Sequence, residues 1–327
     1  MNPVMERNRL LDAAKYILIV LVVVGHFIEP TKYTSSTTCA LYCLIYSFHM
    51  PLFVLISGYF YKQRSITEEI KKCIPFLEVC LLSHIGFLLI QNGLDISIKK
   101  TLFFSGPSWY LLCLVYWRLG TNLLFRYLNV KTVLLFAIIC DFLCFNFVEY
   151  GSLFSIARAI SFYPFFILGY CLKDKLQEII VRYKLIFLVI GMISIVFVVI
   201  TASVLQFKIE FQLMNVFNLK EFTDMNVFAI FGYRYLLILC ALSIGGLVLV
   251  LINSSKELQK LSVFGKTTLF IYFIQTFAFA FIGSCDLLLW QSLIIAFASI
   301  PVFTYLGQQK FASYIMTPIS HVMHIVK

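Results

Sequence analysis

Residues 9–30 read RLLDAAKYILIVLVVVGHFIEP. From Ala13 to Ile28 the stretch is apolar apart from Lys15 and His26, and it has the length, about 20 residues, that crosses a hydrocarbon core. An ionisable side chain inside such a helix costs a few kcal/mol on insertion scales, so each needs a partner or a purpose. Lys15 and His26 are eleven positions apart. At ~100° and 1.5 Å per residue they differ by only ~20° around the helix and stand ~16 Å apart along it. They share a face at different depths. Asp12, three residues before Lys15, sits at ion-pair spacing and within ~40° of the same face. The stripe Asp12, Lys15, His26 is therefore predicted to point into a bundle. Two readings stay open: Lys15 snorkels to the interface while a carbonyl satisfies His26, or both residues serve a site.

Runs of this kind recur along all 327 residues, with expected spans at 13–30, 39–61, 73–91, 108–127, 132–150, 155–172, 185–206, 230–252, 267–284 and 287–307. The composition, 61% hydrophobic and 13% charged, is far from the rough half and quarter of soluble domains. The expected fold is all-α: a polytopic transmembrane bundle of about ten helices, one membrane domain over 1–327 with no appended soluble domain. The basic start before the first run resembles a signal peptide, but Lys15 and His26 interrupt the run and no small-x-small cleavage site follows, so it reads as a retained helix.

The net charge of +10 reads as topology, because the basic residues lie in short loops between apolar runs and not on a folded polar face. This excludes a nucleic-acid partner. The N-terminal, 62–72, 126–131, 173–184, 253–266 and C-terminal segments hold 17 Lys and Arg, against six (Lys32, Lys99, Lys100, Lys208, Lys220, Arg234) in the alternate loops. Both termini are predicted cytoplasmic, in a plasma (inner) membrane. Gln206 to Arg234 is too polar to span yet rich in Phe and Met, and is expected to be an outward loop or interfacial helix.

The ten cysteines form no CxxC pair; Cys39/Cys43 and Cys140/Cys144 have helical spacing inside apolar runs and read as packing, and no metal is expected. Phosphate-loop, HExxH, G-x-S-x-G and His-x4-Asp signatures are missing. In the second span Pro51 is expected to kink the helix. His49 and Ser57, ~80° apart around it, can border one cavity. Further on, Glu78, His84, Arg118, Asp141, Glu149, Arg158 and Gln275 lie in or near spans. Arg118 and Arg158 either pair with Asp141, Glu149 or Glu78 or contact a ligand.

Taken together, Arg9-Leu10-Leu11-Asp12-x-x-Lys15 leading to Val24-Gly25-His26, then Phe48-His49-Met50-Pro51-Leu52-Phe53 and Ser57-Gly58-Tyr59, resemble the start of the acyltransferase-3 family, which includes polysaccharide O-acetyltransferases and fucose 4-O-acetylase-like proteins. The resemblance continues through Lys71-Lys72-x-x-Pro75-Phe76, Trp109-Tyr110-Leu111-Leu112 and Pro164-Phe165-Phe166-x-Leu168-Gly169-Tyr170. It implies a ten-helix fold and transfer of an acyl group, usually acetyl from cytoplasmic acetyl-CoA, to a cell-surface glycan or its precursor. The basic-x10-His pattern tied to activity falls on Lys15 and His26. Gln275 stands where many members have a nearby histidine, and Lys71-Lys72 lacks the fuller arginine pattern.

On that resemblance the phosphate-rich end of acetyl-CoA is expected to dock on cations drawn from Lys15, Arg64, Lys71, Lys72 and Lys266. His26 acts as general base or carries the acetyl group, and Glu29 is a candidate to orient its ring. His49, Ser57, Trp109, Arg118 and Arg158 are the candidate acceptor contacts. Expected partners are a glycan or sugar acceptor, membrane lipids and glycan-assembly proteins. The competing class is a carrier or flippase for a lipid-linked sugar, with the buried polar residues lining its path; an inactive relative acting as an assembly partner is the third.

Overall fold

The computed structural model describes residues 8–317 apart from 33, 103, 105, 145–152, 206–226 and 284. Helix α1 (Arg9–Ile28) runs into a 3-10 turn (Glu29–Thr31) and is followed by α2 (Ser36–Phe60), α3 (Ile66–Asn92), the short α4 (Ile98–Leu102), α5 (Trp109–Leu124), α6 (Val130–Cys144) and α7 (Ile156–Cys171). Then come α8 (Leu176–Arg182), α9 (Lys184–Leu205), α10 (Val227–Ser254), α11 (Lys256–Lys260) with a 3-10 turn (Leu261–Lys266), α12 (Thr268–Ile282), α13 (Leu289–Gln308) and α14 (Lys310–Met316). Each of the ten expected segments carries a helix, and the protein is an all-α polytopic bundle.

Among the described residues six helices are long and apolar enough to cross a membrane alone. Counting each of two bent pairs as one span raises this to eight: α7 meets α8 at 89°, and the 256–266 segment meets α12 at 76°. Helices α5 and α6, with 16 and 15 residues, fall short of the ~20 a straight span needs. The helix starts follow from local chemistry. Asn8 accepts from the Leu11 amide, Ser35 from Thr38, and Ser65 with Glu68 forms a reciprocal capping box. That box starts α3 at Ile66, seven residues before the expected span, and so brings Glu69 inside a helix.

Helix α1 is the central element, packed against α2, α10, α12 and α13. Its Leu11, Leu18, Ile19, Val23 and Phe27 are fully buried. By contrast α9 and α13 expose Leu185, Val189, Ile193, Ile294, Phe297 and Tyr305, as helices facing hydrocarbon do. Without a water-driven force between helices, close packing at small residues holds such bundles together. A Cβ on Gly58 would lie 1.8 Å from the Phe166 carbonyl oxygen, and one on Gly169 would lie 1.9 Å from that of Leu55. Two of the family-like motifs, Ser57-Gly58-Tyr59 and Leu168-Gly169-Tyr170, therefore mark the α2–α7 crossing.

The basic segments counted for topology meet at one end of the bundle. Asn8 Nδ2 donates to the Tyr59 hydroxyl (3.4 Å), Lys173 Nζ to the Tyr61 carbonyl (2.7 Å), Asn122 Nδ2 to the Arg64 carbonyl (2.8 Å) and Gln177 Nε2 to Asn253 Oδ1 (2.9 Å). Gly265 lies against the backbone of Asp12.

Helix α2 carries Pro51 within one 25-residue helix. Two expectations change. Arg234, counted in an outward loop, lies inside α10, 1% exposed, with Nε 3.3 Å from Asp141 Oδ2 and Nη2 bonded to Oδ1. This takes Asp141 out of reach as a partner for Arg118 or Arg158, because a buried carboxylate is already matched. Glu149 and residues 206–226 of the proposed outward loop lie outside the described residues, and the last part of that stretch opens α10.

Candidate active site

At the basic end a cavity of about 250 Å³ opens between α1, α2, α3, α5 and α12, with Lys15, Ser57, Tyr110, Arg118, Thr268 and Tyr272 as its polar lining. Lys15 reaches this wall because it holds Asp12, Nζ to Oδ1 2.7 Å, and lies 4.7 Å over the Phe60 ring. The expected Asp12–Lys15 pair is present. Arg118 is fixed by Glu69: Nη2 to Oε1 is 2.6 Å, and its guanidinium lies within 6 Å of the Tyr61 and Phe76 ring centres. Arg64 shares the same carboxylate, Nη1 to Oε2 3.7 Å. One fully buried carboxylate thus stands between two guanidiniums, leaving positive charge over at the mouth.

The other sequence-predicted cations sit differently. Lys71 and Lys72 lie on the exposed face of α3, and Lys266 is exposed at the end of its 3-10 turn, beside the Gly265 that touches Asp12. None of the three lines the cavity. Arg118, expected on the acceptor side, instead shares the cavity wall with Lys15. Ser57 also lines it, donating to the Phe53 carbonyl (2.9 Å) and bonded to the Tyr110 hydroxyl (2.7 Å). His49 does not: Ser57 and His49 belong to different parts of the bundle.

His26 occupies the opposite end of α1. Its Nδ1 lies 3.3 Å from Glu29 Oε2 and 3.2 Å from the Tyr46 hydroxyl, which itself donates to Glu29 Oε2 at 3.1 Å. Glu29 Oε1 faces Lys32 Nζ at 3.6 Å. A carboxylate and a phenol on Nδ1 hold the Nδ1–H tautomer and leave Nε2 as the basic nitrogen. Phe279 packs on the ring at a centroid distance of 4.9 Å. Tyr46 comes this close because Gly25 has no side chain: a Cβ there would stand 2.9 Å from the Tyr46 ring. His49 backs the arrangement, with Nδ1 2.7 Å from the Ile45 carbonyl and its ring 4.9 Å from that of Tyr46.

Aromatic and polar groups fill the space between the two ends. Tyr110 and Tyr272 rings are 5.8 Å apart, and the Tyr272 hydroxyl donates to the Pro107 carbonyl. One turn on along α12, the fully buried Gln275 donates Nε2 to the Tyr272 carbonyl at 3.2 Å. One further turn brings Phe279, against His26. Trp109 lies under Arg158, whose guanidinium is 5.3 Å from its ring centre and donates Nη1 to the Phe104 carbonyl at 3.1 Å. Arg158 pairs with neither Asp141 nor Glu78. The remaining internal histidine, His84, is structural: Nε2 meets the Thr101 carbonyl (3.0 Å), Ser108 Oγ meets Nδ1 (3.3 Å), and Phe104 stacks on the ring.

Glu69, Tyr46, Tyr110 and Tyr272 were not candidates from sequence. Glu69 lay in a segment read as a loop, although the Ser65-x-x-Glu68 capping box announces a helix there. The tyrosines looked like ordinary apolar-run residues; Tyr110 lies inside the Trp109-Tyr110-Leu111-Leu112 motif.

The family model described as "Acyltransferase domain" matches residues 8–307. Nodulation protein NolL of Sinorhizobium fredii (strain NBRC 101917 / NGR234) is 29% identical over 189 residues, covering 53% of this chain and 50% of NolL. The chain spans about half the length of this curated relative. No solved structure matches.

Proposed function

The chain belongs to the acyltransferase-3 family, and on that premise we propose that this multi-pass membrane protein moves an acetyl group from cytoplasmic acetyl-CoA to a hydroxyl of a cell-surface glycan or its precursor. The observation that carries this reading is the division of labour along α1. One end contributes Lys15 to a cation-lined cavity, and the other holds an imidazole oriented by Glu29 and Tyr46.

The phosphates of the donor bind at the basic end, attracted by Lys15, Arg118 and Arg64, with Lys71, Lys72 and Lys266 adding field from the surface. The pantetheine arm, on the order of the ~16 Å between Lys15 and His26, runs past Tyr110 and Tyr272. His26 Nε2 takes the proton of the acceptor hydroxyl as its oxygen attacks the thioester carbonyl. The carbon–sulfur bond breaks and the CoA thiolate leaves with that proton. Glu29 steadies the imidazolium formed on the way, as the buried carboxylate of a catalytic triad does. Trp109 and Arg158 serve the acceptor side.

The test is incubation of the purified protein in lipid nanodiscs with radiolabelled acetyl-CoA and candidate glycans. Acceptor-dependent thioester cleavage is expected, with a mass gain of about 42 Da on the glycan, the mass of one acetyl substituent. Absence of cleavage, together with acceptor transport in liposomes, would overturn the reading in favour of a carrier.

A further inference from the structure

Arg158 is 6% exposed, and among the described residues its Nε has no hydrogen-bond partner. Its described contacts are neutral: the Phe104 carbonyl and the face of Trp109. Among the described residues no carboxylate lies within ion-pair distance of it. Among the described residues the carboxylate whose charge it feels is Glu29. Glu29 is already committed, one oxygen to Lys32 and the other to His26 and Tyr46. With His26 neutral, the described charges here are Glu29 against Lys32 and Arg158, one positive charge in excess. Two other arginines inside the bundle are placed otherwise: Arg118 has Glu69 and Arg234 has Asp141.

The approach to Arg158 is also held in an unusual conformation. Phe154 and Ser155 have φ of 47° and 52°, the left-handed region that non-glycine residues seldom adopt. The Phe154 amide bonds to the Leu102 carbonyl, and Ser155 Oγ donates to the same Phe104 carbonyl that Arg158 uses. Backbone held in this region is costly and persists where the surroundings over-determine it. A buried guanidinium that has no counter-ion among the described residues is likewise costly, and the cost is removed when an anion arrives.

We infer that the acceptor carries an anionic group, a carboxylate or a phosphate, that pairs with Arg158 while its hydroxyl is presented to His26. This rests on the acyl-transfer reading and adds the acceptor's chemical class to it. Arg158 is then a specificity residue: it selects among hydroxyl-bearing sugars without taking part in thioester cleavage.

The probes are methyl glucoside, methyl glucuronoside and glucose 6-phosphate, with binding followed by tryptophan fluorescence and transfer followed with labelled acetyl-CoA. The wild-type protein is expected to favour one or both anionic sugars over the glucoside by roughly tenfold to a hundredfold, the range for a hydrogen-bonded charge. Which of the two is preferred separates carboxylate from phosphate. Arg158→Gln should lower use of the anionic sugars roughly tenfold or more relative to the glucoside, so that the preference is lost. Arg158→Lys, which keeps the charge without the planar fork, should retain part of it and stands in should the glutamine variant fail to fold. Equal binding of all three sugars by the wild type overturns the inference. So does an Arg158→Gln or Arg158→Lys protein that loses acetyl-CoA cleavage with every acceptor, which assigns the arginine to the reacting carbonyl. Absence of acetyl-CoA cleavage in the wild type would instead refute the acyl-transfer reading.

Discussion

Tyr46 lies against the bare backbone of Gly25, so close that one added methyl carbon would stand 2.9 Å from its ring. This contact delivers the Tyr46 hydroxyl to His26 and Glu29. Gly25→Ala is therefore expected to act as a positioning mutation. It should lower kcat for acetyl transfer about tenfold or more while KM for acetyl-CoA stays within about twofold, because only the imidazole end is disturbed. Steady-state kinetics on protein of unchanged yield and elution volume checks it.

His26→Ala removes the proposed base, and general-base contributions run to about 10²–10⁴ in rate. Acetyl transfer should fall by at least that lower bound with acetyl-CoA binding retained, as measured by equilibrium dialysis. Full activity in a well-expressed His26→Ala protein would discard the mechanism.

Lys15→Ala acts at the other end of the same helix. It is expected to raise KM for acetyl-CoA roughly tenfold, the worth of a charge-assisted hydrogen bond, and to remove the Lys15–Asp12 ion pair. Because phosphates are drawn by charge, the wild-type KM should rise with ionic strength, and that dependence should flatten in Lys15→Ala.

The buried Arg234–Asp141 pair joins α10 to α6. Arg234→Met alone should destabilise the protein by about 3–5 kcal/mol, because it strands a buried carboxylate. Arg234→Met combined with Asp141→Leu should recover most of that loss. Thermal unfolding of the detergent-solubilised proteins distinguishes the two.

Gly58→Ala places a methyl where the Phe166 carbonyl already stands. The α2–α7 crossing must separate, and loss of monodisperse protein in gel filtration is expected. Gly120→Ala, with nothing within 4 Å of the added carbon, should behave as wild type.

The membrane class and the ten long helical segments were legible because apolar runs and charged breaks are one-dimensional features. The shared face of Lys15 and His26, and the Asp12 pair, were legible for the same reason: they depend on spacing within one helix. What the sequence hid lies between helices. Arg234 and Asp141 are 93 positions apart, and only the tertiary fold brings them together. Arg118 meets Glu69 because the Ser65–Glu68 capping box starts α3 seven residues ahead of its apolar run, a polar turn that hydropathy does not register. Tyr46 gained its chemistry from a missing side chain on another helix, and no periodicity within α2 records that.

Because Lys15 and His26 belong to one unbroken helix, their relation is a matter of phase as well as length. Inserting one residue between them would move His26 only 1.5 Å farther but would turn it ~100° away, off Glu29 and Tyr46. Inserting seven would nearly restore its bearing and put it ~10 Å beyond the reach of the same donor. The helix works as a combined compass and ruler. Single-residue insertions and deletions in its middle should be far less tolerated than apolar replacements at the same positions.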